Sequence, residues 1–316
     1  SLDMTSSDNV TWTGTYTPTD DVEDDTNVLS LATSYTDPAG NNGASATTAN
    51  YEVDTTEPTI SSVAITSAAG IQNNFVNPGD NVSLTVTFSE AVVVDNSNGS
   101  PTLTIVVGSD NRTATYTSGS GNAQQVFGYT IQALLTSGEN DSDGISISAN
   151  SLALNSSTIK DEAGNTATIT HNAVSNNSAY KVDTIPPTVN SAGITSATGK
   201  QNNFVNPADV VSITAAFSET VLVVSGTPTL TIVVGSANRT STYNSGSNSA
   251  NLVFRYTIQA LLTSGENDDD GISIGANALS LNSGTVTDLA GNLASDITHS
   301  AASDNSEYKV DTIQPA

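Results

Sequence analysis

The chain has 316 residues and carries 7 Lys plus Arg against 32 Asp plus Glu, a formal net charge of -25. So negative a balance excludes the basic face that nucleic acid or anionic lipid needs, and the absence of cysteine excludes disulfide staples and thiolate chemistry. It suits hard cations with oxygen ligands, calcium above all, or plain solubility in an exported protein.

No apolar run reaches the roughly 18 residues of a membrane-spanning helix, so no membrane insertion is expected. Ser1 does not open a signal peptide, and the chain reads as a piece of something longer. Thr, Ser, Asn, Val and Gly dominate, with few long helix formers. That is an all-β composition.

From Trp12 to Val53 the pattern is strand, acidic loop, strand, turn, strand. Trp12-Thr13-Gly14-Thr15-Tyr16 alternates large and small residues, and Trp12 is expected in core or edge packing. Thr19 to Asp25 reads as a loop crowded with Asp20, Asp21, Glu23, Asp24 and Asp25. Val28–Leu31 and Ser34–Thr36 are again extended, and Asp37-Pro38-Ala39-Gly40-Asn41 makes a tight turn. Residues 1–54 therefore amount to about half of an immunoglobulin-sized sandwich, without its opening strands. Half a sandwich leaves edges and one face uncovered, so strand donation from upstream or from another chain is expected there.

Two internal repeats follow, at 55–183 and 184–311, with 312–316 beginning the next linker. Gln72-Asn73-Asn74-Phe75-Val76-Asn77-Pro78 returns as Gln201 to Pro207, and Phe75 to Phe204 gives a period of 204 - 75 = 129. Phe88-Ser89-Glu90 returns as Phe217-Ser218-Glu219, Pro101–Gly108 as Pro228–Gly235, and Asp161-Glu162-Ala163-Gly164-Asn165 as Asp288-Leu289-Ala290-Gly291-Asn292. Val82, Leu84, Val86 and Phe88 alternate with polar residues, the period-two pattern of a sheet with one buried face. About seven short strands in each repeat suit an immunoglobulin-like sandwich. Thr130 to Leu135 reads as a short helical turn.

A motif recurs where these pieces meet: Tyr51-Glu52-Val53-Asp54, Tyr180-Lys181-Val182-Asp183 and Tyr308-Lys309-Val310-Asp311, each running toward a proline. It reads as the last strand of one domain passing into the first of the next. Greek-key order puts Glu90 with Asp161–Asn165, and Glu219 with Asp288–Asn292, in the loops after the second strand and before the last, at the end where the chain comes in. It puts the acidic loops 139–144 and 266–271 at the outgoing end. Hard oxygens brought so close repel one another unless a cation sits among them.

The candidate calcium donors are therefore Asp54, Glu57, Glu90, Asp161 and Asn165 at the first joint. Asp141, Asp143, Asp183, Glu219, Asp288 and Asn292 serve the second, Asp268, Asp270 and Asp311 a third, with Asp21 and Asp24 in the early acidic loop. Asp-Gly and Ala-Gly-Asn are also ordinary turn formers, with the Asp bonding its own backbone. His171 and His299 occupy equivalent places and lack any nucleophile or metalloprotease motif beside them, so both are read as structural and no enzyme is expected.

Phe-Ser-Glu, Pro-Thr-Leu-Thr-Ile, Asp-Gly-Ile-Ser-Ile, Asp-x-Ala-Gly-Asn and Val-Asp-Thr together resemble the SWM-type Ig-like repeats of large secreted bacterial surface proteins, including RTX-type adhesins. Residues 1–54 resemble the second half of a different bacterial Ig-like repeat, through Trp-Thr-Gly-Thr-Tyr-Thr-Pro and Tyr-Thr-Asp-Pro-Ala-Gly-Asn. The resemblance implies tandem sandwiches arranged end to end as a rod, an extracellular stalk on the bacterial cell surface, and calcium at domain joints. Its partners would be neighbouring Ig-like domains of the same or another chain. A subunit of an extracellular filament or surface layer is the main alternative. A carbohydrate-binding module is a lesser one, since 16 Trp, Tyr and Phe leave little for an aromatic platform.

Overall fold

The computed structural model describes residues 2–133, 139–260 and 266–313. Within these the chain is all-β. Residues 2–54 hold four short strands, β1 Glu23–Asn27, β2 Ser30–Leu31, β3 Ala46–Thr47 and β4 Tyr51–Asp54. The first repeat holds β5 Ile60–Ala69, β6 Phe75–Val76, β7 Asn81–Asp95, β8 Thr102–Val107, β9 Asp110–Ser118, β10 Asn122–Thr130, β11 Ser146–Ala153, β12 Thr158–Lys160 and β13 Lys181–Val182. The second holds β14 Val189–Ala197, β15 Phe204–Val205, β16 Val210–Ser225, β17 Thr229–Val234 and β18 Ala237–Ser245. It continues with β19 Ser249–Thr257, β20 Leu279–Ser280, β21 Thr285–Thr287 and β22 Lys309–Val310.

Each repeat folds around its own apolar cluster. Val82, Leu84, Val86 and Phe88 from β7 pack with Leu103, Ile105, Phe127 and Ile147 in the first, and Val211, Ile213, Phe217, Leu230, Ile232 and Phe254 in the second. The antiparallel order is β11-β8-β9-β10-β7 with β5 on β7, and the second repeat follows it as β20-β17-β18-β19-β16 with β14 on β16. The first half of β7 pairs β5 and β10, while its far end pairs β12. Glu90 thus lies inside one continuous strand, not in the loop expected after Phe88, because the same strand serves both faces of the sandwich. Glu219 lies likewise inside β16.

The last strand of each repeat closes back in parallel. Lys181 and Val182 register with Phe75 and Val76, and Lys309 and Val310 with Phe204 and Val205. This lays the Gln-Asn-Asn hairpin beside the Asp that opens the next linker. The helical turn expected over Thr130–Leu135 is not formed at Ile131–Ala133; Leu134 and Leu135 lie outside the described residues.

Residues 2–54 depart most from expectation. Trp12 is 54% exposed and its neighbourhood forms only the bridge Thr5–Thr13, because no second sheet stands opposite to bury it. Glu23–Asn27, expected at the end of an acidic loop, is a strand pairing β4; tertiary pairing overrides the low β propensity of Asp and Glu. The Asp37–Asn41 turn forms as expected, with Asp37 Oδ1 accepting from the Ala39 and Asn41 amides at 2.9 Å each.

No side chain between Leu2 and Glu57 is buried. Hydrogen exchange on the intact chain should therefore show β1 to β4 exchanging orders of magnitude faster than Val82–Phe88, whose opening requires loss of a whole core. Equal protection of the two regions would mean residues 2–54 fold as firmly as a complete sandwich.

Candidate metal centres at the domain joints

Three chain segments build each candidate centre. Asp54 ends β4, Glu90 sits where β7 passes from one face to the other, and Asp161 follows β12, which pairs the far end of β7. One carboxylate oxygen from each lies within 4.8 Å of the other two. The second joint repeats this with Asp183, Glu219 and Asp288. In both, the third carboxylate is buried and the other two are half-buried. Among the described residues no Lys, Arg or His forms a salt bridge with any of the six.

The electrostatics follow from that crowding. Burial first, then the charges of Asp183 and Asp288, push Glu219 from 4.5 up to about 7. Burial also raises Asp183, with Asp288 adding to it. At the first joint burial raises Glu90, helped by Asp54, Asp161 and Glu23. Glu23 is the neighbour that sequence reasoning missed, since it was read as part of a loop. Its signal is cross-strand register, as it stands opposite Asp54 in the β1–β4 pair.

The same aspartates also make turns. Asp54 Oδ1 accepts from the Thr56 amide and Asp183 Oδ1 from the Ile185 amide, each at 3.0 Å. Asp161 Oδ1 accepts from the Gly164 and Asn165 amides at 2.6 and 2.8 Å, and its Oδ2 from Asn165 Nδ2 at 2.8 Å. Asn165 and Asn292 turn their side-chain amides onto the Asp54 and Asp183 carbonyls at 3.1 and 3.0 Å. Turn formation and convergence on one point therefore coexist at these residues.

Other expected donors lie apart from the triplets. Asp141 is buried, and its Oδ2 accepts from the Gly108 amide at 2.8 Å and its Oδ1 from the Gly144 amide at 2.7 Å; Asp268 does the same for Gly235 and Gly271. Burial raises the pKa of both. Asp143 accepts from Asn176 Nδ2, and Glu57 from Thr168 Oγ1 at 3.0 Å. Asp270, Asp311, Asp21 and Asp24 join neither triplet, and Asp311 Oδ1 accepts from the Ile313 amide.

Greek-key order puts these outgoing-loop acids with the carboxylates of the next domain. Asp141, Asp143, Asp268 and Asp270 lie in neither triplet, although Asn140 of the first loop bonds the Thr184 amide beside Asp183. The glutamates that open these loops, Glu139 and Glu266, point inward to Arg112 Nε at 2.8 Å and Arg239 Nε at 2.7 Å, and each accepts from a tyrosine hydroxyl, Tyr129 or Tyr256.

Protein contacts reinforce the second joint. Asn73 Nδ2 donates to the Leu289 carbonyl at 2.9 Å and Asn77 Nδ2 to the Ala290 carbonyl at 2.8 Å, while the Thr184 amide donates to Asn140 Oδ1 at 2.8 Å. His171 and His299 are held as sequence reasoning placed them. Nε2 accepts from the Ser151 or Ala278 amide at 2.9 Å, leaving Nδ1 to donate to the carbonyl of the next residue.

Residues 2–53 match the family model of a bacterial Ig-like domain. No curated protein matches the chain.

Proposed function

We propose that the chain is a stalk segment of a large bacterial cell-surface protein of the adhesin kind, in which Ig-like sandwiches follow one another as a rod and calcium stiffens their joints. The observation that carries this reading is the pair of carboxylate triplets, each assembled from a linker Asp and two acids of the following repeat. An ion held there couples a linker to the domain it enters.

The donor set fits calcium. It consists of oxygen alone, carries up to three negative charges, and is buried or half-buried with no basic partner among the described residues, so a hard divalent cation relieves its repulsion. Water would complete the six to eight ligands calcium takes. The Ig-like match at residues 2–53 supports an extracellular, structural and non-enzymatic role.

A second reading is a filament or surface-layer subunit in which another chain completes residues 2–54. It is favoured by the exposed Met4, Val10, Trp12, Tyr16, Leu29, Leu31 and Tyr35, a concentration of apolar side chains that a donated strand would cover.

Small-angle scattering and limited proteolysis with calcium and with chelator test the first reading. Chelation should shorten the maximum dimension and open a cleavage site near Asp54 before one near Asp183. Both joints keep a threonine bonded to the preceding domain, Thr55 to Val22 and Thr184 to Asn140, and an asparagine on the linker Asp carbonyl. The second adds the Asn73 and Asn77 contacts to the Leu289 and Ala290 carbonyls, which do not depend on an ion. Unchanged dimensions and cleavage would return these acids to solubility and turn formation.

A further inference from the structure

The residues of β5 are arranged symmetrically about Ala64. Ile60, Val63, Ile65 and Ala68 pack against or within the core of the first repeat. Between them Ser61 with Ser62, and Thr66 with Ser67, are exposed. The pairing of β5 with β7 shifts register between Ile60 and Ser62 and again between Ile65 and Ser67, on either side of the same centre. Laid antiparallel on itself, Ser61-Ser62-Val63-Ala64-Ile65-Thr66-Ser67 sets Ser against Ser, Ser against Thr and Val against Ile. Such cross-strand pairs of hydroxyl and β-branched side chains are favourable.

The outer edge of β5 is open. It stands at the end of its sheet and pairs only with β7. The opposite end strand, β11, is covered instead, since the Asn150 and Ile147 amides donate to the His171 and Val174 carbonyls. The covering segment begins beside β5, where the Thr168 amide donates to the Pro58 carbonyl, and has crossed to β11 by His171. Its crossing leaves a groove between Ile60–Val63 and Thr170–Val174. Among the described residues no backbone group of Ile60–Ala69 bonds anything but β7.

An open edge is ordinarily blocked by a charge, a proline or a cover. In a chain of net charge -25, residues 58–79, 144–159 and 163–180, which carry this edge and the groove beside it, hold no Asp, Glu, Lys or Arg. Two copies repel one another elsewhere and can approach here without facing charges. The equivalent strand β14 is built differently. Gly193 stands where Ala64 does, which weakens a strand. The stretch from Asn292 to His299 is also one residue longer than that from Asn165 to His171, and it includes the exposed Asp296.

We propose that β5 pairs antiparallel with β5 of a second copy about a two-fold axis at Ala64, joining two sheets edge to edge. Ser62 then faces Thr66, Val63 faces Ile65, and Ala64 faces its own counterpart. The contact is isologous, so it closes at two copies and lays two chains side by side at this repeat. It goes beyond the stalk reading and requires neither an ion nor residues 2–54.

The chain has no cysteine, so single introduced thiols report the register. Residues directly opposite in an antiparallel pair have Cα atoms about 4.5 to 5.5 Å apart, within the span a disulfide bridges. In a glutathione redox buffer with chelator, full-length Ala64→Cys should therefore form disulfide-linked homodimer. Ser62→Cys alone should not, because the two copies of that position stand roughly 13 Å apart along the strands. Mixed with Thr66→Cys it should give heterodimer in preference to either homodimer. The mixed pair Ser191→Cys and Thr195→Cys on β14 is the control and should capture roughly tenfold less. Adding Ser62→Lys and Thr66→Lys to Ala64→Cys sets like charges opposite each other and should cut capture roughly tenfold, while Ser191→Lys with Thr195→Lys should leave it unchanged. Capture no greater than the control overturns the proposal and leaves this edge to a strand of another protein or to none. Equal capture by Ser62→Cys alone and Ala64→Cys also overturns it, since the register would then be absent. Every reading is taken in chelator, so failure here leaves the calcium test of the joints standing.

Discussion

Glu219→Gln should weaken calcium binding at the second joint roughly tenfold, because it removes one of three charges from the donor set. The same change should stabilise the metal-free protein near neutral pH. Glu219 is raised from 4.5 to about 7 in the folded chain. In the metal-free state its favourable contribution is fully present below about pH 4.5 and is lost as pH rises through about 7. Calcium requires the ionised carboxylate, so wild-type affinity at this joint should climb over that same window and the variant's should climb less.

Calorimetric titration at several pH values reads both effects, and Glu90→Gln should give the equivalent loss at the first joint. Asp183→Asn is a clean companion, because an amide oxygen still accepts from Ile185. Asp161→Asn and Asp288→Asn are not. The new side-chain amide would face the Asn165 or Asn292 amide that Oδ2 now accepts, and the turn itself would suffer. Unchanged calcium affinity in Glu219→Gln would remove the triplet from the metal site.

Arg239→Met should destabilise the second repeat by about 3 kcal/mol, the cost of leaving a buried carboxylate without its cation. Glu266 is 2% exposed and takes a charged contact from Arg239 Nε as well as bonds from Tyr256 and the Gln259 amide. For a sandwich of this size the loss corresponds to a drop of about 10 °C in its melting transition. Tyr256→Phe, which removes one hydroxyl donor and no charge, should cost about 1 kcal/mol. The first repeat holds the equivalent Arg112, Glu139 and Tyr129 and serves as an internal standard in the same melt. If only the second transition falls, the ion pair is structural and local. A melt unchanged by Arg239→Met would show that Glu266 finds other partners or water.

Strand positions in the repeats were legible because one face is buried and period-two alternation follows from that. Val82, Leu84, Val86 and Phe88 are all core, as their spacing predicts. The repeat itself located equivalent residues and so pointed to Asp54, Glu90 and Asp161 together with Glu57 and Asn165, and to Asp183, Glu219 and Asp288 together with Asp141, Asp143 and Asn292. The structure brings only the three carboxylates of each set within 4.8 Å of one another. Residues 2–54 were harder to read, since a segment without a facing sheet imposes no burial on its alternating side chains. Trp12 therefore lies exposed despite its pattern, and Glu23 lies in a strand despite its composition.

Which acids converge, and which turn inward, was decided only by tertiary structure. Asp141 and Asp161 each stand in an acidic turn near a glycine. The first is spent on the Gly108 amide inside its own repeat, while the second meets a linker Asp from more than a hundred residues earlier. Likewise nothing local distinguishes Glu139, buried against Arg112, from the exposed Asp143 of the same loop. A carboxylate's role depends on which groups lie within a few ångströms of it, because its repulsion and desolvation fall off over that range. Those distances are set by how distant strands pair and not by the residues beside it in the chain.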